Sequence, residues 1–540
     1  MYSNHDSRYY SMNDIHAKSP MPLTKGQANV RAMPGRQPKK RNTRLKLLLL
    51  LIVVALIVAA VRVAANLYTA NSTLTVQVGG QQSGQIDLNQ SFAISPFLLG
   101  SNVFPRAGTS SKDQAGSGFM SYDQQVILGL QSARIKLLRF PGGNWGEEHT
   151  LSHEQLDDFS KLLNQVGAQG IMQVQLSDPN DVTPVSLQTR ATRAALLVDY
   201  MNNSKSIQRT DARAAFHPIA YWTIGNEPDL LINPDTQKNY TVEEYTQAFI
   251  AYSLAVHQKD PSIKIFGPEA SNYLGQKGPK DAGGKLWVEE FLREINSYEQ
   301  THALPFHLLD GVSFHYYPFG DSQVNANTLL QNPAQWDTIL PSLRQFIRQQ
   351  FGEDLPIAIT EINTNSGKIV PPQNLAATWW ANTLGKLMSN QVEYVTFFST
   401  EGVDSPYPLF TKQGLQETAM LRTMQLFAQL QPDLVPIKGE HGPVSMYATQ
   451  DQQHAAVSVL FINNIGESQQ VNVHSDGFLP FGSWQHADLT IPAYGMAVLT
   501  LHRGGSDEAF SFSNSGSLQQ TPPTIQHLIC GNNAGGTAVC

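Results

Sequence analysis

Short apolar runs recur along the middle of the chain: FLLGSNVF (97–104), IKLLRF (135–140), GIMQVQLS (170–177), AYWTIGNE (220–227), IKIFGPEA (263–270), GVSFHYYP (311–318), PIAITEIN (356–363) and VEYVTFFS (392–399). Their starts lie 35–50 residues apart. Between them stand stretches such as HEQLDDFSKLLNQVG, VEEYTQAFIAYSLAVHQ and NLAATWWANTLGKLMS, where apolar residues return at i, i+3 and i+4. Strands alternating with helices in units this long predict right-handed crossovers and a parallel sheet. Near-continuous apolar strands are buried on both faces, which suits a closed (β/α)8 barrel over residues 92–430. An open doubly wound sheet usually carries a Gly-rich phosphate loop after its first strand, and Gly100-Ser101-Asn102 is not one.

Past residue 430 the period changes. VSMYAT (444–449), HAAVSVLFIN (454–463), QQVNVH (469–474) and MAVLTLH (496–502) alternate apolar and polar residues, with turn residues between them and no helix. This pattern predicts an antiparallel β-sandwich over 431–503. LTVQV (74–78) and QIDL (85–88), within 66–91, are expected to join it. Residues 504–540 read as a disordered Gly/Ser/Asn/Gln tail, in which a Cys530–Cys540 disulfide would hold no core together.

The N-terminus is different again. Residues 47–61 are fifteen apolar residues in a row, and Arg62 can snorkel and extend the segment to 47–65. Lys39, Lys40, Arg41, Arg44 and Lys46 precede it, so the positive-inside rule keeps the disordered segment 1–46 in the cytoplasm. The expectation is a single-pass signal anchor at the cell membrane with the catalytic body outside. The alternative is secretion after cleavage of a signal peptide.

Charge narrows the function. The 540 residues carry a net charge of −7, but residues 1–46 hold ten Lys/Arg against two Asp/Glu, leaving 27 basic and 42 acidic residues beyond them. An acidic body is a poor nucleic-acid binder. Two cysteines exclude a disulfide scaffold or a Cys-rich metal fold, and no ligand cluster calls for a metal or another cofactor.

In a (β/α)8 barrel the chemistry gathers at the C-terminal strand ends. Those ends carry Asn102, Arg139, Asn226 with Glu227, Glu269, His315 with Tyr316, Glu361 and Glu401. Glu227 closes the fourth run and Glu361 the seventh. A charged residue capping an apolar strand costs desolvation unless it is used or paired. Two carboxylates across one barrel mouth suit glycosidic bond cleavage, one as general acid and one as nucleophile. A separation of about 5–5.5 Å marks a retaining enzyme, and about 6.5–9.5 Å an inverting one.

Asn226-Glu227-Pro228 after the fourth strand, with Glu361 after the seventh, resembles the retaining glycoside hydrolases of clan A over residues 92–503. The resemblance implies Glu227 as acid/base, Glu361 as nucleophile and Asn226 as the ligand of the sugar 2-hydroxyl. RFPGGN (139–144) resembles the strand-two motif of family 51, where the Arg supports the nucleophile; this brings in Arg139 and Asn144. SFHYYP (313–318) resembles strand six of several clan families and brings in His315, Tyr316 and Tyr317 as substrate-side residues. IGNEPDL, FGPEAS, HYYP and TEINTNSG together look most like family 79, the β-glucuronidase and heparanase type, although Glu269 stands where that family carries Asp. TEINT is also similar to family 39. The expected function is a retaining glycosidase acting on a β-linked sugar or uronide in an oligo- or polysaccharide, or in a simpler glycoside. The alternatives are an arabinofuranosidase or β-xylosidase of the same clan, a transglycosylase, and an inactive carbohydrate-binding protein using aromatics such as Trp145.

Overall fold

The structure is a computed structural model that describes residues 50–60, 73–107, 118–181, 183–211, 213–403, 406–451, 456–475, 486–502, 508–512, 525–532 and 537–539. The chain divides into two units, residues 1–65 and 66–540. In the first, residues 50–60 are helical and their apolar side chains are exposed. A helix of that length spans about 16 Å, roughly half of a hydrocarbon core of about 30 Å. Among the described residues no helix is long and apolar enough to cross a membrane. The rest of the expected anchor, 47–49 and 61–65, and the basic segment 1–46 lie outside the described residues.

The second unit holds a closed barrel of eight parallel strands. In chain order they are β1 (Gly100–Asn102), β2 (Leu137–Phe140), β3 (Gln169–Val174), β4 (Tyr221–Ile224), β5 (Lys264–Ala270), β6 (Gly311–Tyr316), β7 (Ile357–Ile362) and β8 (Tyr394–Phe397), with β8 closing on β1. Every residue of β1, β2, β6 and β7 is buried, as strands walled on both faces must be. The crossover helices are amphipathic and several are well capped: Ser152 and Thr241 each form a capping box at the start of Trp-free helices His153–Val166 and Val242–His257.

Two seven-stranded antiparallel sheets, apart from one parallel pairing, flank the barrel. The N-terminal strands Thr73–Val78 and Gln81–Asp87 lie in one of them, where Val76 pairs with Val473. Strand Ala456–Asn463 is central in the other and buried throughout. Its Val457, Val459 and Phe461 face the sandwich interior, while Leu460 and Ile462 join the barrel core. That double duty explains why its sequence, AVSVLFIN, shows little alternation. Strand His486–Ile491, beside Gln469–Ser475, was not expected from the sequence.

The tail 504–540 departs from the expected disorder. Glu508–Phe512 pairs with Met496–His502, Ile525–Ile529 pairs with Glu508–Phe512, and Thr537–Val539 runs parallel to His486–Ile491. The physical reason is the open sheet edge: a row of unpaired N–H and C=O groups accepts any chain that can lie extended beside it, whatever its composition. Cys530 is buried in the sandwich core and disulfide-bonded, so it belongs to that core; Cys540, the chain's other cysteine, lies outside the described residues.

Barrel and sandwich meet on helix Gln373–Ser389, which is buried nearly all round. Thr378 Oγ1 donates to the Tyr494 carbonyl at 3.0 Å, and Asn382 Nδ2 donates to Asn464 Oδ1 at 2.8 Å. The Tyr447 ring lies against Gly385, where a Cβ would come within 2.1 Å of it. Gly385→Ala gains about 0.5–1 kcal/mol of helix propensity but overpacks the contact at a cost of about 1–3 kcal/mol. The variant should therefore melt below the wild type in a thermal scan, and Gly385→Ala/Tyr447→Leu should recover part of the loss. A Gly385→Ala variant melting above wild type would refute this reading of the contact.

Candidate active site

Strand β4 ends at Ile224, and Gly225 and Asn226 carry the chain to Glu227, which adopts a left-handed φ of 47°. A non-glycine residue there is strained and is held by its surroundings. Its N–H donates to the Glu269 carbonyl at 3.0 Å, and the turn Pro228–Leu230 follows at once. Glu269, near the end of β5, has a φ of 61°. The β5–β6 register shifts between Pro268 and Ala270, and the β6–β7 register between Phe314 and His315. Bulges of this kind re-aim side chains at a barrel rim. Here they set Glu269, His315 and Glu361 toward one another.

Arg139 is the hub. It is fully buried, and its Nη1 donates to Glu361 Oε1 at 2.8 Å and Asn102 Oδ1 at 2.9 Å. Its Nη2 donates to Glu269 Oε2 at 2.7 Å, Asn226 Oδ1 at 2.8 Å and Gln173 Oε1 at 3.3 Å. Burial opposes its charge, but Glu269 and Glu361 outweigh burial and hold the guanidinium above its ordinary value. Burial would likewise raise Glu269; the Arg139 charge and the His315 contact bring it down to about 2.

His315 sits in the same layer, also fully buried. Its Nδ1 lies 2.9 Å from Glu227 Oε1 and 3.6 Å from Glu361 Oε2, and its Nε2 lies 3.5 Å from Glu269 Oε2. Burial works against a charge on the ring. The Glu361 charge and the contacts with Glu227 and Glu269 prevail and lift it to about 10, so it is an imidazolium at neutral pH whose Nδ1 donates to Glu227 Oε1, while Nε2 faces Glu269 without a hydrogen bond. Tyr317 Oη donates to Glu361 Oε2 at 2.7 Å; burial first, and then the Glu361 charge, push that phenol well above its usual value. An oxygen of Glu227, one of Glu361 and a nitrogen of His315 all lie within 4.8 Å of one another.

Above this layer opens a cleft of about 470 Å³, lined among others by Phe104, Asn144, Trp145, Glu148, Glu227, Tyr317, Glu361 and Phe398. Gly143 has a φ of 55°, and a Cβ there would come 2.9 Å from Glu361 Oε1, so glycine lets the backbone pass directly over the carboxylate. Asn144 Oδ1 accepts from Asn226 Nδ2 at 2.9 Å. Among the described lining residues there is no lysine or arginine.

The residues anticipated from the sequence therefore separate into three groups. Glu227, Glu361, Tyr317 and Asn144 line the cleft, with Asn226 beside them. Arg139, named among the substrate-side residues and also as the support of the nucleophile, lies fully buried beneath the carboxylates and meets Glu361; His315, expected to contact nucleophile or substrate, lies buried in the same layer. Tyr316 was expected there too and faces away: it is buried, packs on Trp336 and donates to Asn332 Oδ1 at 3.2 Å. Successive strand residues point to opposite faces, so Tyr316 and its neighbours cannot share one side. Sequence reasoning named Asn102 only as a strand end and passed over Gln173 and Thr360, polar interruptions inside apolar strands, the one signal that marks them.

Glu401, another strand-end acid, turns out to serve the scaffold. It is fully buried, and its Oε2 accepts from the Ser121 N–H at 2.8 Å while Oε1 has no hydrogen-bond partner among the described residues. Burial raises it to about 7. A raised acid contributes stability below its unfolded value, near 4.5, that is lost as pH rises through about 7. Glu401→Gln, which cannot ionise, should remove that loss, narrowing the stability drop between pH 4.5 and 8 by an amount on the order of 1–3 kcal/mol. Urea unfolding at both pH values measures it; equal drops in both proteins would contradict a buried ionisation here.

Residues 143–319, about a third of the chain, match the family model of glycoside hydrolase family 44. The match is not to family 79, whose likeness rested on motifs such as Asn-Glu-Pro and His-Tyr-Tyr-Pro; short strand-end motifs report shared chemistry and do not separate families within a clan. No curated protein sequence matches the chain. A Paenibacillus polymyxa xyloglucanase of family 44 is 13% identical with a TM-score of 0.54, covering 76% of this chain and 97% of that one. A family 51 α-L-arabinofuranosidase from Thermotoga petrophila is 14% identical with a TM-score of 0.56, covering 77% and 98%. A family 44 endoglucanase from Clostridium thermocellum is 14% identical with a TM-score of 0.51, covering 76% and 98%. The family 44 match marks the chain as a glycoside hydrolase, and its barrel with flanking sheets is similar to the clan A fold.

Proposed function

We propose that the chain is a retaining glycosidase acting on a neutral, β-linked polysaccharide, with Glu227 as acid/base and Glu361 as nucleophile. The observation that carries this reading is the approach of the two carboxylates to within 4.8 Å at the barrel mouth. An approach this close of one oxygen from each acid supports the short spacing of double-displacement enzymes, about 5–5.5 Å between carboxyl groups, over the about 6.5–9.5 Å of inverting ones.

Each residue then has a task. Arg139 and Tyr317 each hydrogen-bond one oxygen of Glu361 and keep it aimed, as attack on the anomeric carbon requires. Glu227, at the edge of the cleft, protonates the departing oxygen, then takes a proton from the water that hydrolyses the glycosyl-enzyme. Asn226, fixed by Arg139 and Asn144, presents its amide to the sugar 2-hydroxyl. An inactive sugar-binding scaffold has no need of two carboxylates oriented by a shared guanidinium.

The lining residues support a neutral sugar over a uronide. Beyond the catalytic pair the described titratable side chains in the cleft are Glu148 and His149, with Tyr317, and no lysine or arginine among the described lining residues could receive a substrate carboxylate. A β-glucan of the xyloglucan type, the activity named for the Paenibacillus structure, is the first substrate to try. The RFPGGN motif keeps the arabinofuranosidase reading as the second. Aryl β-glucoside and β-xyloside should be cleaved and aryl β-glucuronide should not; preferred cleavage of an α-L-arabinofuranoside would select the second reading. We place the catalytic body outside the cell, anchored through 47–65 or released by cleavage there, as the basic cluster before the apolar run supports. Protease shaving of intact cells should release the body.

The two roles separate by stereochemistry. Glu361→Ala should abolish turnover, and azide should then give a glycosyl azide of inverted configuration. Glu227→Ala should lose about 10²–10⁴-fold on poor leaving groups, keep its first step on dinitrophenyl glycosides, and give a retained azide product. NMR of the two products decides the assignment; exchanged configurations would reverse it, and wild-type rates in both variants would place the site elsewhere.

A further inference from the structure

Glu269 is a buried carboxylate that this mechanism does not use. It is fully buried and strained at φ 61°. Its Oε2 meets Arg139 Nη2 at 2.7 Å and His315 Nε2 at 3.5 Å, and its Oε1 accepts from Thr360 Oγ1 at 2.7 Å. It lines no part of the cleft, so it touches no substrate. A buried charge of this kind is costly to keep unless another charge depends on it.

The charges in the layer can be balanced group by group. The titratable groups facing Glu227 come from each neighbouring element. Arg139 is on β2, with Glu147 after it. Asp229 follows β4, and Glu269 is on β5. His315 lies on β6 with Tyr317 after it, and Glu361 is on β7; Glu148 and His149, after β2, line the same cleft as Glu227. Tyr317 is a neutral phenol. Glu147 accepts from the Leu176 N–H and from Gln173 Nε2, and Asp229 accepts from Ser271; burial pushes both carboxyls up, Glu147 to about 7, and neither hydrogen-bonds Arg139 or His315. The centre therefore holds two cations, Arg139 and His315, and three carboxylates. Glu269 and Glu361 both hydrogen-bond Arg139, and Glu227 meets His315 Nδ1 at 2.9 Å.

Resting on the role of Glu227 above, we propose that Glu269 is a positioning residue that sets this balance: by neutralising Arg139 and His315 from below, it lets Glu227 keep the proton it gives to the leaving group. Without the Glu269 charge, two cations face two carboxylates, and Glu227 sheds its proton to become the second. Glu269 then acts on the first chemical step through His315 and Arg139, without contact with the sugar.

The test is the pH dependence of kcat/KM in the full chain, on a glycoside with a poor leaving group and on a dinitrophenyl glycoside. In Glu269→Gln the alkaline limb for the poor leaving group should move to lower pH by about 1–3 units. The dinitrophenyl substrate, which needs no proton, should show no such move. Glu269→Asp keeps the charge, so its limb should stay near that of the wild type even where the rate falls. His315→Gln removes a cation, so its limb should move to higher pH; this variant tests the balance independently if Glu269→Gln does not fold. A uniform loss in Glu269→Gln with an unmoved limb would overturn the proposal and leave Glu269 a structural residue. An unmoved limb in His315→Gln would overturn it equally. Glu227→Gln separates the two layers of argument: it should abolish the alkaline limb, and if the limb persists, the acid/base assignment itself fails. If Glu227→Gln behaves as expected while Glu269→Gln does not, only the present inference falls.

Discussion

The buried guanidinium of Arg139 is the interaction on which the site depends. It reaches Glu361, Glu269, Asn226, Asn102 and Gln173 from one position at the barrel axis. A planar fork with five donors can serve acceptors on several strands at once, which a lysine cannot. The cost of removing that charge from water is met by carboxylates already on the barrel rim. Glu361 is thereby fixed to within a hydrogen bond at one oxygen, and Tyr317 fixes the other. A nucleophile needs that restriction, because a displacement of one ångström can cost about 10²-fold in rate.

The barrel makes this hub possible. Parallel strands bring residues far apart in sequence to one mouth: Arg139 and Glu361 are 222 positions apart and 2.8 Å apart in space. The close backbone pass at Gly143 and the left-handed residues Glu227 and Glu269 are local strains gathered at that mouth. Strain of this kind persists where the surrounding packing over-determines it. Here the strand ends, the guanidinium and the imidazolium supply that packing. The flanking sheets contribute from a distance, through helix Gln373–Ser389 and the shared strand Ala456–Asn463, by closing the barrel's outer face.

The sandwich shows how edge chemistry overrides composition. The segment past residue 503 is polar and rich in small residues, yet Glu508–Phe512 and Thr537–Val539 lie in the sheets. Backbone pairing asks only for an extended chain and a vacant edge. By contrast, the apolar run before residue 65 is the most hydrophobic stretch of the chain, and its described part is an exposed helix of residues 50–60.

The sequence by itself determined the strand–helix alternation, the (β/α)8 topology, the antiparallel region after it, and the strand ends that carry Asn226, Glu227 and Glu361. These are local or periodic properties, set by burial on both faces of a strand and by a charged residue closing an apolar run. Only the tertiary structure decided which polar side chains share the mouth. Tyr316 and Tyr317 are adjacent in sequence, and alternation sends one to Trp336 and the other to Glu361. His315 looks like a substrate ligand in a linear motif, but it lies fully buried beneath the carboxylates, at the shifted β6–β7 register. Glu269 reads in sequence as one more strand-end acid. Its weight comes from what lies 2.7 Å and 3.5 Å from its oxygen, and those partners arrive from strands β2 and β6. Distance between charges, and the low dielectric that magnifies it, exist only once the barrel has closed.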